Sequence, residues 1–232
     1  MRMYENTKTW NSALGCRFDC IYCVPSFQKV IAWSTKRSGV NCEGCLNFFP
    51  HEHPERLSRI PSHDIIFAFG NGDITFYRQS FVEKAIENLI GNLSRSRKNK
   101  TVYFQSKNPR CLSKYFLKLE PIKESVVLAT TLETNRDEGY CDISKAPLPS
   151  VRYKDFLALN WQRKIVTIEP VMDFDLDEFA GWIRQISPEA VYLGFNSRPN
   201  EVNLPEPSPE KFWQLKDALN SFTEVRLKDT RN

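Results

Sequence analysis

Short apolar runs alternate with longer amphipathic segments along the 232-residue chain. Residues 65–69, 101–105, 126–131, 164–168 and 190–195 are apolar runs of strand length, 8–14 reads as a first short strand, and 224–227 closes the chain as a last one. The segments between them have helical spacing. In 78–93, Phe81, Ala85, Ile86, Leu89, Ile90 and Leu93 recur at three and four residues, which puts them on one face of a helix. Further helices are expected over 111–119, 153–162, 176–186 and 209–222. Asp173 or Asp175 would cap the fourth of these five helices, and Ser208 followed by Pro209 marks the start of the last. Residues 24–62 follow neither period and read as an irregular insertion containing Gly, Pro, His and two cysteines.

Strands alternating with helices imply a mostly parallel sheet with right-handed crossovers. The expected fold is therefore α/β: a partial (β/α)6-type TIM barrel, a single domain over 1–232 carrying the insertion at about 24–62. In such sheets functional residues lie beyond the carboxyl ends of the strands. Those positions hold Cys16, Asn71 to Asp73, Ser106 and Lys107, Glu133 to Asn135, Glu169, and Asn196 to Arg198. Polar residues at every strand end on one rim point to one site.

Composition narrows the class without naming an activity. Hydrophobic residues make up 41% and charged residues 26%, as in ordinary globular proteins. The net charge of +4 permits an anionic partner without requiring one. No apolar run approaches the ~20 residues that cross a bilayer, and the amino-terminal ten residues have no apolar signal core. The expectation is a cytoplasmic protein with no membrane partner. In that reducing compartment, clustered cysteines favour metal over disulfides.

Cys16, Cys20 and Cys23 fall within eight residues, in a C-x3-C-x2-C run. Three such thiolates cannot all pair as disulfides, but they can converge on one metal centre. Thiolates are the usual ligands of iron–sulfur clusters, and a [4Fe-4S] cluster held by three cysteines leaves one iron open to a non-protein ligand. An open iron suits chemistry better than electron storage alone. The competing reading is a zinc knuckle, which more often uses paired Cys-x2-Cys or His partners.

The cysteine spacing, with Tyr22 just before the last cysteine, resembles the radical S-adenosylmethionine superfamily. Further segments extend the resemblance: Thr9-Trp10-Asn11 before Gly15-Cys16, Phe69-Gly70-Asn71-Gly72-Asp73-Ile74-Thr75-Phe76, Phe104-Gln105-Ser106-Lys107-Asn108-Pro109, Thr131-Leu132-Glu133-Thr134-Asn135, and Thr167-Ile168-Glu169-Pro170. In that order, over most of 7–200, they look like an uncharacterised, often phage-associated radical-SAM family distantly related to spore photoproduct lyase. The family often has Ser-Met-Ser-Asp where this chain has Asn71-Gly72-Asp73. The resemblance implies reductive cleavage of S-adenosylmethionine to a 5′-deoxyadenosyl radical, which takes hydrogen from a substrate, and it implies an external electron donor. It also implies residue roles. Cys16, Cys20 and Cys23 would ligate the cluster, and the backbone at Tyr22 would lie against the adenine. Gly70, Asn71, Gly72 and Asp73 would meet the methionine ammonium, and Ser106 and Lys107 its carboxylate. Glu133 or Asn135 would hold the ribose, and Glu169 the ribose or the substrate. Relatedness to the photoproduct lyase and the mild basicity favour a nucleic-acid substrate. A residue that returns a hydrogen atom would be Cys141 or Tyr140.

A second pair, Cys42 and Cys45, is followed by His51 and His53 in a C-x2-C-x5-H-x-H pattern. These four could ligate zinc and order the insertion, contribute to a second iron–sulfur cluster, or be unrelated loop residues. Cys111 and Cys141 read as packing residues. The basic run at 95–100 reads as a solvated loop at the end of the sheet away from the site. Lys29, Lys36, Arg37, Arg56 and Arg59 in the insertion would border its mouth and suit phosphates. A reading of a different class also stands: a non-catalytic iron–sulfur electron carrier, or a zinc-stabilised nucleic-acid-binding protein. The polar strand ends favour the enzyme, since a carrier needs no cofactor rim.

Overall fold

Alternation within the apolar runs decides the two faces of the sheet. In the computed structural model, which describes residues 6–96 and 99–228, seven strands lie parallel. They are β1 (Thr7–Trp10), β4 (Ile65–Ala68), β5 (Thr101–Gln105), β6 (Val126–Thr131), β7 (Lys164–Ile168), β8 (Ala190–Leu193) and β9 (Glu224–Leu227), in that spatial order. Thr7 pairs with Ile65, Ile65 with Thr101, and the ladder continues to Leu193 opposite Leu227. The sheet curls into a half-barrel flanked by helices. This is the expected α/β partial barrel.

Ile66, Phe104, Leu128, Val166 and Val191 point outward and pack under the helices. Each such burial contributes roughly 1.5–3 kcal/mol. The main helices are α3 (Gln79–Ser94), α5 (Pro149–Leu157), α6 (Leu176–Ile186) and α7 (Pro209–Asn220). The alternate residues Phe67, Tyr103, Val127, Ile165 and Tyr192 fill the concave side. Among the described residues, no helix is long and apolar enough to cross a membrane.

Beyond shifts of one or two residues, as at β8, which stops at Leu193, four segments differ from the sequence reading. The first strand splits: after β1 the chain breaks at Asn11 and Ser12, and β2 (Ala13–Leu14) joins a separate antiparallel pair with β3 (His51–Glu52). The break is stabilised by Asn11, whose Oδ1 accepts from the Asn71 amide at 2.9 Å. The insertion is largely helical, with a π-helical turn (Val24–Gln28), α1 (Lys29–Arg37) and α2 (Glu43–Asn47). Segment 111–119 is a 3-10 helix (Pro109–Tyr115) running into the short α4 (Phe116–Leu119). The helix expected over 153–162 starts earlier, at Pro149, and stops at Leu157. Proline suits that first turn, since it lacks only an N–H that would have no helical partner. Ser208 caps α7 by accepting from Lys211 N at 3.2 Å. Asp175 sits at the start of α6 without a side-chain cap bond.

The basic run at 95–100 lies partly outside the described residues, at 97 and 98. Lys100 is buried rather than solvated, and its ammonium donates to Asn92 and to the Pro61 carbonyl.

Candidate functional site

The cysteine loop follows β2 and is held from several sides. Gly15 N donates to Asn71 O at 3.0 Å, and Cys16 N to Phe48 O at 3.3 Å. Gly15 adopts φ +92°, and an added Cβ would lie 2.1 Å from the Phe49 carbonyl oxygen. Only glycine tolerates both the left-handed backbone and that approach. From the other side, Ile21 N donates to Ile143 O at 3.0 Å and Lys145 N to Phe18 O at 2.7 Å. Cys20 Sγ lies 3.0 Å from Ser144 Oγ. The π-helical turn starts immediately after Cys23, whose carbonyl accepts from Phe27 N and Gln28 N.

All three cysteines line one cavity of about 500 Å³ beyond the carboxyl ends of the strands. Tyr22, Gly70, Gly72, Asp73, Lys107 and Glu169 share its wall, while no histidine or fourth cysteine among the described residues does. A second lobe of about 490 Å³ continues outward, sharing Tyr22, Cys23, Phe27, Lys107, Glu169 and Lys228 and adding Val30, Asn196 and Arg198. Burial pushes the Cys16 thiol well up, with Asp73 adding to it, and burial followed by Cys20 pushes Cys23 up to about 11.

The floor of the cavity is polar. Gln105, Thr131 and Thr167 continue the inward-facing rows of β5, β6 and β7 to the rim. Gln105 Nε2 donates to Thr131 Oγ1 at 2.8 Å, and Thr167 Oγ1 is 2.8 Å from the same oxygen. The period of two along each strand carried this information, because these residues share parity with Tyr103, Ala129 and Ile165.

Behind the wall lies a buried charge cluster. Glu133 is fully buried and is met by the Lys107 ammonium, by Arg152 Nη2 at 2.7 Å, by the Tyr22 hydroxyl at 2.6 Å and by the Tyr140 hydroxyl at 3.2 Å. Burial works to raise Glu133, but Arg152 and then Lys107 outweigh it and hold it at about 2. Arg152 also donates to the Thr131 carbonyl at 2.5 Å and lies 4.8 Å from the Tyr140 ring centre. Sequence reasoning missed Arg152, which reaches the site from α5 only through the fold.

The expected cofactor-contact residues divide by what they touch. Lys107 lines both lobes; of its three donors, two are used by Glu133 and Tyr22. Glu169 also lines both lobes and pairs with the Lys228 ammonium, which donates as well to Ser197 Oγ at 2.8 Å. Lys228 was not expected from the sequence. Asp73 faces the cavity but is anchored internally, accepting from Ser106 Oγ at 2.7 Å, Lys107 N at 2.8 Å and Thr75 N at 3.0 Å. Burial works to raise its pKa, and these hydrogen bonds oppose it.

Five expectations are displaced. Ser106 is directed at Asp73 and Asn108 and lines neither lobe. Glu133 lies behind the wall, not on it, so its role is to hold Lys107, Tyr22 and Arg152. Asn135 sits in a separate hollow, where Oδ1 accepts from Asp175 N and Nδ2 donates to Glu178, securing the start of α6. Asn71 lines neither lobe and braces Gly15 through its carbonyl. Of the hydrogen-return candidates, Tyr140 is buried against Glu133, and Cys141 is exposed and lines neither lobe, so it is no packing residue either. Cys111 is buried, as expected.

Cys42, Cys45, His51 and His53 converge in the insertion. Their ligand atoms lie within 4.8 Å of one another, and among the described residues they are the one such group of three or more Cys, His, Asp or Glu. Arg56 lies beside this second group, 3.6 Å from Glu55. Lys29 is exposed and pairs with Glu201 at 3.7 Å.

No protein-family model matches the chain, and no curated protein matches it.

Proposed function

We propose that the protein is a radical S-adenosylmethionine enzyme, with Cys16, Cys20 and Cys23 holding a [4Fe-4S] cluster. One observation carries the reading. Three cysteines from a single loop line one cavity at the carboxyl rim of a curled parallel sheet, and among the described residues no fourth cysteine or histidine lines it. The donor set fits: thiolate ligation suits iron–sulfur clusters, and three thiolates leave one iron for an exogenous ligand. When bound, the cluster and cofactor supply reductive cleavage of a carbon–sulfur bond and a carbon radical for hydrogen abstraction.

The chain's own residues bind, orient and shield. Lys107 keeps one donor for the cavity, which suits a carboxylate. Glu133 and Tyr22 fix the position of that ammonium. Gly70 and Gly72 put backbone at the wall. Glu169 offers a carboxylate to hydroxyls at the junction of the two lobes, oriented by Lys228. Phe27, Phe48 and Phe69 give the cavity apolar flanks that restrict water around a reactive species.

The outer lobe is the place for substrate. Arg198 and Lys228 line it, as do Phe27 and Val30. Beyond it on α1, Trp33 is 59% exposed, with the Arg37 guanidinium 5.2 Å from its ring centre. Cations beside planar rings suit a substrate with phosphates and stackable bases, so nucleic acid is the favoured class.

Anaerobic protein reconstituted with iron and sulfide, reduced with dithionite and given S-adenosylmethionine is expected to yield 5′-deoxyadenosine and methionine. An intact cofactor beside a fully assembled cluster would favour the electron carrier instead.

A further inference from the structure

We propose that Cys42, Cys45, His51 and His53 bind one zinc ion in a closed tetrahedral site, and that this ion fixes the backbone on which the Cys16 loop is seated. The zinc assignment stands alone; its link to the loop rests on reading that loop as the cluster ligand.

The hydrogen positions argue for a cation. His51 Nδ1 lies 2.7 Å from the Phe49 carbonyl oxygen, and His53 Nδ1 lies 2.9 Å from Glu55 Oε1. Each contact is favourable only if Nδ1 carries the proton, which leaves Nε2 bare on both rings. Yet the two Nε2 atoms are 2.8 Å apart. No pair of neutral tautomers satisfies all three contacts: either one ring is an imidazolium or a metal cation lies between the bare nitrogens, and the two cysteine sulfurs within 3.4 Å of those nitrogens fit the metal. Fixing the ligand nitrogen through a hydrogen bond at the other ring nitrogen is how metal-binding histidines are commonly oriented.

The sulfurs complete the set. His51 Nε2 is 3.3 Å from Cys42 Sγ and 3.2 Å from Cys45 Sγ, and His53 Nε2 is 3.4 Å from Cys45 Sγ. In a two-iron centre of mixed ligation the histidines and cysteines sit on different irons. Here one nitrogen is equally near both sulfurs, so all four donors share one centre. Two thiolates and two imidazoles with no open position make a structural zinc set. The local chain is shaped for it. Cys42 caps α2, accepting from Cys45 N at 3.4 Å, and a Cβ on Gly44 would lie 2.7 Å from the His51 ring.

The same backbone carries the Cys16 loop. His51 pairs with Leu14 in the β2–β3 ladder, and His53 N donates to Ser12 O at 2.7 Å. Phe48, at the end of α2, accepts from Cys16 N. The ion would therefore tie together the two segments that flank Gly15 and Cys16.

Metal analysis of the intact chain, expressed with zinc and iron, is the test. About one zinc per chain is expected, retained in the Cys16→Ala/Cys20→Ala/Cys23→Ala variant and lost in Cys42→Ser/Cys45→Ser. Should the latter variant fail to fold, cobalt substitution of the intact chain decides, with the visible bands of tetrahedral sulfur–nitrogen ligation expected. Zinc-free protein that also gives no such bands overturns the site. So does iron remaining at Cys42 and Cys45 in the triple variant. The link predicts that zinc-depleted protein takes up at least tenfold less cluster iron on reconstitution, and unchanged uptake overturns it. Zinc bound to a chain that takes no iron would uphold the zinc site and refute the cluster.

Discussion

Glu133→Gln is expected to lower the unfolding free energy by about 3–5 kcal/mol, the usual cost of removing one partner from a buried ion pair. Glu133 and Arg152 have no exposed side-chain surface, and the Lys107 side chain is only 15% exposed. Removing the one carboxylate leaves the buried Arg152 guanidinium without its counter-charge, with the Lys107 ammonium nearby across Tyr22 and Tyr140. The amide preserves shape, so any loss reports charge and hydrogen bonding, not a cavity. Acid titration supplies a second check. Glu133 has an ordinary value of 4.5 and a native value of about 2. A carboxylate held below its ordinary value stabilises the fold above that value, and the contribution disappears as pH falls from 4.5 toward 2. It amounts to roughly 3 kcal/mol at neutral pH. Denaturant unfolding should therefore show the gap between the parent protein and Glu133→Gln narrowing over that acidic interval. A gap that stays constant there would mean the cluster is not held by the Glu133 charge.

Cys23→Ala should lose at least tenfold in cluster iron after anaerobic reconstitution, since even indirect changes around a metal ligand commonly cost 10–100-fold in affinity. Cys23 is partly exposed to the cavity, so its removal disturbs packing less than loss of buried Cys20 would. Zinc at the second site should stay near one per chain, and Cys111→Ala should keep its iron, because Cys111 packs behind Asp73 and Ser106 away from the cavity. Iron content and visible absorbance measure the effect. Equal iron in the parent protein and Cys23→Ala would remove that cysteine from the ligand set.

The strands were the legible part of the fold. The runs at 101–105, 126–131 and 164–168 match their strands, because a parallel strand covered on both faces is largely apolar; 224–227 also matches, as an edge strand that alternates charged and apolar residues. The insertion was harder to read because α1 exposes Val30 and Trp33 while burying only Ile31, so its apolar residues do not mark an inward face. The helix near 153 was misplaced because Trp161 extends the apolar pattern past the true end at Leu157. Trp161 instead packs on Phe116 and donates to the Val126 carbonyl.

The site divides in the same way. Candidate ligands close in sequence, such as Cys16, Cys20 and Cys23 or Cys42, Cys45, His51 and His53, can be read from spacing. Arg152 and Lys228 come from distant segments and meet the rim only through topology. Ser106, Glu133 and Asn135 were placed at the correct end of the sheet, but strand position does not reveal which neighbour takes up each polar group. Their partners are Asp73, Arg152 with Lys107, and Asp175 with Glu178.

The central claim is that the three-cysteine loop holds a cluster with one iron open to S-adenosylmethionine. Electron paramagnetic resonance of the reduced, reconstituted protein, recorded with and without the cofactor, tests it most directly. About four iron ions per chain are expected, with a cluster signal whose g-values shift when S-adenosylmethionine is added. A signal unchanged by the cofactor, or protein that remains colourless and silent after reconstitution, would contradict it.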